Sequence, residues 1–327
     1  MENVTRQWII RGAALLAAAG AVLIALTAAT YVVAGWTAAR LDDAERAKLT
    51  RAGFAHAFVA LKDGVTHYRD EGRADRGTIV LIHGVQNASY TYEAYWPKLT
   101  AAGYRVIAYD LYGRGFSDTP WARYDALLFV GQLSDLLDAL NVDTPVHLVG
   151  YSLGAAVAIE FGAAHPEDVA SVYLISPAGL APKHYPGYLS WPFVGEIAYR
   201  VFGDGWLTRA AQVQANKAPD PAAFMAAYER SARYRGHAEA IMWTRRAFPY
   251  FSIPESYSAF ARTNRPLRVI WGTADGTYPF AQSKALMSLV PEAELEAVDG
   301  EGHAIAFAAP DRVTDDLLEF FARAARP

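Results

Sequence analysis

The 327-residue chain contains no cysteine. That absence removes disulfides, a thiol nucleophile and thiolate metal sites, and it leaves both reducing and oxidising compartments open. Charge is sparse as well: Asp, Glu, Lys and Arg make up 20% of the residues, with a formal net charge of -4 and an isoelectric point near 6.1. With no run of Lys or Arg, the chain lacks the positive field that attracts nucleic acid, and no nucleic-acid partner is expected. There is no internal repeat and no low-complexity tract beyond an Ala-rich N-terminus. Apolar residues, at 53%, are plentiful enough for one large core or a core with a subdomain. A small-molecule or lipid substrate fits this balance.

The N-terminus is the most unusual region. Gly12 to Gly35 is a run of 24 residues without a charge. At about 1.5 Å rise per residue, a helix of that length reaches roughly 36 Å, enough to cross a bilayer core. Trp8, Tyr31 and Trp36 lie near its ends, where amphipathic rings favour the interface. Thr37-Ala38-Ala39 would suit cleavage of a signal peptide, giving a secreted or periplasmic protein. The run is longer than an ordinary signal core, however, and residues 1–40 read as an uncleaved single-pass membrane anchor. Basic residues flank both ends, Arg6 and Arg11 before it and Arg40, Arg46, Lys48 and Arg51 after it, so their count does not separate the two sides. The short basic tail favours a cytoplasmic N-terminus and an extracytoplasmic location for the residues that follow.

Beyond a polar, helical stretch at Leu41 to Ala52, the sequence predicts eight strands. Segments at His56 to Leu61 and Val65 to Arg69 flank Asp63-Gly64, a hairpin signal, so this pair is antiparallel. Thr78 to His83, Arg105 to Tyr109, Pro145 to Gly150, Val169 to Ser176, Leu267 to Gly272 and Glu294 to Val298 are compact apolar runs, most of them separated by segments of helical period. Such alternation implies an α/β fold, a mostly parallel sheet with helices on both faces. A last helix is expected from Asp311 to Arg323. The interval 178–262 breaks the alternation and reads as an inserted helical cap on a core formed by residues 41–177 and 263–327. Its 85 residues hold 16 Phe, Trp and Tyr and carry a net charge of +4. Most of those aromatics must pack the cap on the sheet.

Gly150-Tyr151-Ser152-Leu153-Gly154 fits G-x-S-x-G at the end of an apolar strand and the start of a helix. A serine on so sharp a turn is strained, and its neighbours two positions away must be nearly side-chain-free for strand and helix to approach. Ser152 is therefore the expected nucleophile. A hydroxyl needs a base to take its proton and an acid to hold that base in the right tautomer. Among the histidines after Ser152, His303 follows the last predicted strand, where strand C-termini gather. His184 and His237 fall in the cap, and His165 reads as the exposed end of a helix. The acid could follow the strand ending near Ser176 or the one ending at Gly272. The first loop, Ser176-Pro177-Ala178-Gly179, has no carboxylate, and the second supplies Asp275. Asp299 and Glu301, close to His303 in sequence, read as a solvated turn. Backbone N-H groups of Leu153 and Val85 are the expected oxyanion donors, with His83 bracing the loop that carries Val85.

The chain resembles the α/β-hydrolase superfamily from about Phe58 to Ala322. His83-Gly84, the turn from Asp110 to Asp118, the elbow at Ser152, the acid and the histidine all occur in that family's order. The resemblance implies the α/β-hydrolase fold, and it implies that Asp110, Arg114 and Asp118 are scaffold. Haloalkane dehalogenases and epoxide hydrolases of this superfamily use an aspartate nucleophile, against which Ser152 stands. Proline iminopeptidase relatives carry His-Gly-Gly-Pro where this chain has His83-Gly84-Val85-Gln86. With its anchor and aromatic cap the chain looks most like membrane-anchored lipases and esterases of the monoacylglycerol-lipase type. The expected activity is serine carboxylic-ester hydrolysis of an apolar acyl ester through an acyl-enzyme, with no metal and no cofactor. Carbon-carbon bond hydrolysis or cofactor-free perhydrolysis on the same triad is the alternative, and a non-catalytic binding role the remaining one.

Overall fold

The computed structural model describes residues 2–51, 56–181, 187, 191, 193–248 and 250–324. Its first element, α1 (Glu2–Thr37), is a single helix whose apolar stretch Ile10–Val33 is not buried by the rest of the protein. Two hydroxyls on this stretch turn inward, Thr27 Oγ1 donating to the Leu23 carbonyl and Thr30 Oγ1 to the Leu26 carbonyl, each at 2.8 Å. α2 (Asp43–Arg51) follows, with Asp43 and Glu45 in its first turn and Lys48 and Arg51 in its last, as the helix dipole favours.

The Asp63-Gly64 turn closes with the Leu61 N-H on the Gly64 carbonyl at 3.0 Å. It sets β1 (Ala57–Ala60) antiparallel to β2 (Val65–Glu71), with Ala60 opposite Val65. Six strands follow: β3 (Thr78–Ile82), β4 (Arg105–Tyr109), β5 (Val146–Tyr151), β6 (Val169–Ile175), β7 (Leu267–Gly272) and β8 (Glu294–Val298). They are mutually parallel, and the sheet order is β1-β2-β4-β3-β5-β6-β7-β8, with β2 antiparallel to both of its neighbours. The differences from the expected strand limits are one or two residues at an end. The largest is β2, which runs on to Glu71 because it keeps pairing with β4 as far as Val106.

Helices α3 (Trp96–Ala101), α4 (Ala126–Ala139) and α5 (Leu153–Ala164) connect the middle strands. Between β6 and β7 lie α6 (Val194–Ala198), α7 (Asp204–Ala215), α8 (Pro221–Ala232), α9 (His237–Ala247) and α10 (Pro254–Ala261). α11 (Ser283–Leu289), α12 (Ile305–Ala308) and α13 (Pro310–Ala324) complete the chain. Because successive side chains of a strand point to opposite faces, β3 splits its burial: Val80 and Ile82 join the core beneath α4 and α5, while Ile79 and Leu81 join the one beneath α3 and α13. Covered on both sides, β3 is buried along its whole length, which explains why it reads as a continuous apolar run.

α6 passes through a π-helical turn, Tyr199–Gly203, straight into α7, and along this continuous rod Gly195, Tyr199, Gly203, Leu207, Ala211 and Ala215 are buried at every fourth position. The end of α1 and α2 are tied to this region. The Arg200 guanidinium lies 3.8 Å from the Tyr31 ring centroid, the Arg235 N-H donates to the Ala39 carbonyl at 2.9 Å, and Arg233 meets Glu45 at 2.7 Å. At the opposite edge of the sheet, Arg268 on β7 pairs with Glu294 on β8 and with Asp316 on α13.

Candidate active site

Parallel strands deliver their C-terminal loops to one edge of the sheet, and there five loops converge. β5 ends at Tyr151 and α5 begins at Leu153, so Ser152 alone makes the turn, at φ 54° and ψ -114°. A positive φ on a residue with a Cβ costs on the order of 1–3 kcal/mol and persists only where the surroundings enforce it. Here they do. A Cβ on Gly150 would lie 2.4 Å from the Gly154 carbonyl oxygen, and one on Gly154 would lie 2.0 Å from the Ile82 carbonyl oxygen. Strand and helix thus approach at backbone contact, and the Ser152 N-H is held by the Ile175 carbonyl at 3.1 Å.

His303 stands on the segment between β8 and α12, and Asp275 on the loop after β7. His303 Nε2 is 3.1 Å from Ser152 Oγ, and His303 Nδ1 is 2.9 Å from Asp275 Oδ2. The structure therefore brings the three nominated side chains into one hydrogen-bonded row. The other oxygen of Asp275 is committed: Oδ1 accepts the N-H groups of Thr277 at 2.8 Å and Tyr278 at 2.9 Å. Asp299 does not enter this row, and its carboxylate accepts the Thr273 hydroxyl at 3.0 Å. The imidazole is flanked by two rings, Tyr151 at 5.3 Å and Tyr278 at 5.4 Å between centroids. Burial and the nearby Asp275 charge raise the Tyr151 hydroxyl above its ordinary pKa, so it stays neutral.

The loop after β3 packs beside the serine. A Cβ on Gly84 would lie 3.4 Å from the Ser152 Cβ, which leaves the adjoining Val85 backbone next to Ser152. Leu153, the other nominated donor, opens α5, where the first N-H groups of a helix have no intrahelical partner. The loop is braced from three directions. His83 is fully buried, with Nδ1 at 2.8 Å from the Gly84 carbonyl oxygen and Nε2 accepting the Leu111 N-H at 2.9 Å. Burial holds its pKa down to about 4, so it is neutral and keeps that tautomer. Asp110 accepts the N-H of Ser89 at 2.7 Å through one oxygen, and through the other the N-H of Phe116 at 2.8 Å and His67 Nδ1 at 2.7 Å. Burial raises its carboxyl, but attraction to His67 and these hydrogen bonds outweigh that and hold it well below the usual range.

Arg114 is more than the generic turn residue that its sequence suggests. Completely buried, it donates to the Val85 carbonyl at 3.1 Å, to the Tyr112 carbonyl at 2.9 Å and to Thr244 Oγ1 on α9 at 2.7 Å, and burial lowers its pKa to about 10. It thereby fixes the loop that carries Val85 against the helices between β6 and β7. Tyr278, whose N-H and ring both touch the row, had no signal in the sequence.

The remaining histidines lie elsewhere. His237 is buried and its pKa falls to about 3, burial being the main cause. His184 lies outside the described residues. His165, expected to be exposed, is half-buried, because its ring packs 4.8 Å from that of Phe161. With Glu167 and Asp168 it forms the one grouping among the described residues close enough to share a metal ion. That grouping stands at the far end of α5, about 18 Å of helix from Ser152. A cavity of about 500 Å³ lies beside the loop after β3, walled by Trp96, Phe116, Phe224 and Phe307 and including Arg69 and Arg230. None of the three row residues lines it. Phe307 links the two, its ring edge-on to Tyr151 at 6.1 Å.

Comparison with known proteins agrees with this architecture. An uncharacterized protein of Mycobacterium tuberculosis is 29% identical over 266 residues, covering 74% of each chain. A 2-hydroxy-6-oxononadienedioate/2-hydroxy-6-oxononatrienedioate hydrolase of Paraburkholderia phymatum is 25% identical over 284 residues, 80% of this chain and 94% of its own. Among solved structures, a membrane phospholipase A described as a bacterial virulence factor superposes with a TM-score of 0.67 at 20% identity, covering 98% of this chain and 100% of its own. The profile of the alpha/beta hydrolase family matches residues 79–316. With its eight-stranded sheet, its serine on the turn after β5 and that match, the chain belongs to the alpha/beta hydrolase family.

Proposed function

We propose that the protein is a serine carboxylic-ester hydrolase with Ser152 as nucleophile, His303 as general base and acid, and Asp275 as the group that orients His303. The observation that carries this reading is the hydrogen-bonded row at 3.1 and 2.9 Å on a strained turn. His303 Nε2 takes the hydroxyl proton as Oγ attacks the ester carbonyl, and the new oxyanion accepts from the N-H groups of Val85 and Leu153. The imidazolium, stabilised by Asp275, then protonates the departing alcohol, and water deacylates the enzyme by the same route. The apolar walls of the neighbouring cavity suit an acyl chain. Residues 178–262 act as the cap over the site, and α1 as a single-pass anchor that holds the catalytic domain at the membrane on the extracytoplasmic side.

Carbon-carbon bond hydrolysis is the second reading, favoured by the Paraburkholderia relative, whose name gives an activity of that kind. An ester panel set against vinylogous diketones separates the two. Ser152→Ala should lower ester turnover by on the order of a million-fold without altering thermal unfolding. A fluorophosphonate should label Ser152 alone, and labelling that survives in Ser152→Ala would remove the nucleophile assignment.

A further inference from the structure

Apart from Trp121 and Leu127, the large apolar side chains that face solvent among the described residues lie on two parts of the molecule. One is α1. The other is the start of the segment between β6 and β7, where Trp191 is 60% exposed, Phe193 80%, Phe202 57% and Trp206 44%, with Val194 and Val213 also exposed. A soluble surface tolerates such residues singly; a cluster of this size marks an interaction site.

The helical rod gives the cluster its geometry. Its buried row fixes one face against the protein, and Phe202, Trp206 and Val213, at i, i+4 and i+11, form a stripe on another. The Phe202 and Trp206 rings stack at 5.9 Å. Exposed Arg209, at i+7 from Phe202, belongs to the same stripe. An apolar and aromatic stripe interrupted by arginine suits the boundary between headgroups and acyl chains, where rings bury and a long cationic side chain reaches out to phosphate. The stripe is also continuous with α1: the π turn carrying Phe202 is the element on which α1 packs, through Arg200 over Tyr31. Whatever surrounds the end of α1 therefore meets the stripe. The net +4 of residues 178–262 complements an anionic lipid surface.

We infer that Trp191, Phe193, Phe202 and Trp206 form a second membrane contact, seating these helices in the bilayer interface next to α1. This rests on the reading of α1 as a membrane span. Docked in this way, the catalytic domain is fixed in orientation as well as tethered, with the helices beside Ser152 facing the lipid.

The absence of cysteine permits a direct test with the full chain. Single variants Phe193→Cys, Trp206→Cys, Leu23→Cys and Arg73→Cys, each carrying a polarity-sensitive fluorophore, are reconstituted in phosphatidylcholine/phosphatidylglycerol vesicles. Spin-labelled lipids of shallow and deep nitroxide position serve as quenchers. Position 73 lies on the loop before β3, at the opposite end of the sheet from Ser152. Labels at 193 and 206 should lose roughly half their emission to the shallow quencher, the depth expected of an interfacial contact. The label at 23 should respond to the deep quencher, and that at 73 to neither. If 23 is quenched while 193 and 206 match 73, the second contact is refuted and the anchor stands. If 23 is not quenched either, the anchor reading falls with it. Cross-linking of unlabelled Phe193→Cys chains to one another, together with an unquenched label at 193, would assign the face to a second copy of the chain and overturn the lipid assignment.

Discussion

Replacing Asp275 by Asn separates orientation from mere proximity. The two carboxylate oxygens of Asp275 have different duties: Oδ1 accepts two backbone N-H groups, and Oδ2 faces His303 Nδ1. An amide has one oxygen and one NH2, and the two backbone donors demand the oxygen. The NH2 is then turned toward His303, whose Nδ1 must become an acceptor, so the ring proton moves to Nε2. In that tautomer Nε2 points a hydrogen at Ser152 Oγ and cannot take its proton. The expected loss in kcat is on the order of ten-thousand-fold, equivalent to about 5.5 kcal/mol of transition-state stabilisation. Folding should be nearly unaffected, because the shape and the two backbone hydrogen bonds are kept. The assay is steady-state hydrolysis of a chromogenic ester together with the rate of fluorophosphonate labelling, which should fall in parallel, since both need the activated serine. Asp299→Asn, which alters only the contact with Thr273, should leave both within about threefold. An Asp275→Asn enzyme that keeps a tenth of its activity, or an equal loss in Asp299→Asn, would refute this reasoning.

Two other outcomes rest on packing and protonation. Gly154→Ala places a Cβ 2.0 Å from the Ile82 carbonyl oxygen and should lower stability by about 1–3 kcal/mol and damage activity, whereas Gly131→Ala, with open space around its Cβ, should be neutral or stabilising in the same thermal melts. Burial holds His83, His147 and His237 neutral, with pKa values of about 4, about 4 and about 3 against 6.5. The unfolded chain therefore binds protons first, and stability, full above pH 6.5, falls as pH drops toward 4. For His83 alone the loss between pH 7 and pH 5 is about 2 kcal/mol, visible as a lower urea midpoint. A midpoint that is constant down to pH 5 would contradict it.

The middle of the sheet was legible in the sequence because β3 to β7 are buried on both faces and so read as compact apolar runs, and the half-buried first pair because Asp63-Gly64 announces its hairpin. Ser152, Asp275 and His303 could be nominated because each follows a strand, in a fixed order, and because only one of the two loops that could supply the acid holds a carboxylate. What the sequence concealed is tertiary. Nothing near Arg114 indicates that it reaches both Val85 and Thr244, 130 residues away from it in the chain. Nor does a lone histidine in β2 reveal that His67 contacts Asp110 through one ring nitrogen and His56 through the other, at 2.7 and 2.6 Å. The continuity of α6 and α7 through a π turn escaped for a similar reason: the buried row recurs every four residues rather than at the ordinary helical period.

The pairing of Arg268 with Glu294 and Asp316 at the sheet's edge bears on how the protein loses activity. Ser152 is carried by a strand near the middle of the sheet, whereas Asp275 and His303 are carried by β7 and β8, and β8 has a neighbour on one side only. Edge strands open before central ones. The row is therefore only as durable as its outermost strand, and β8 is held laterally by β7 and by arginine contacts that salt weakens. Heating in high salt would separate His303 and Asp275 from Ser152 while most of the sheet is still intact, so that on the proposed mechanism the loss of turnover reports on one margin of the fold before the fold itself is lost.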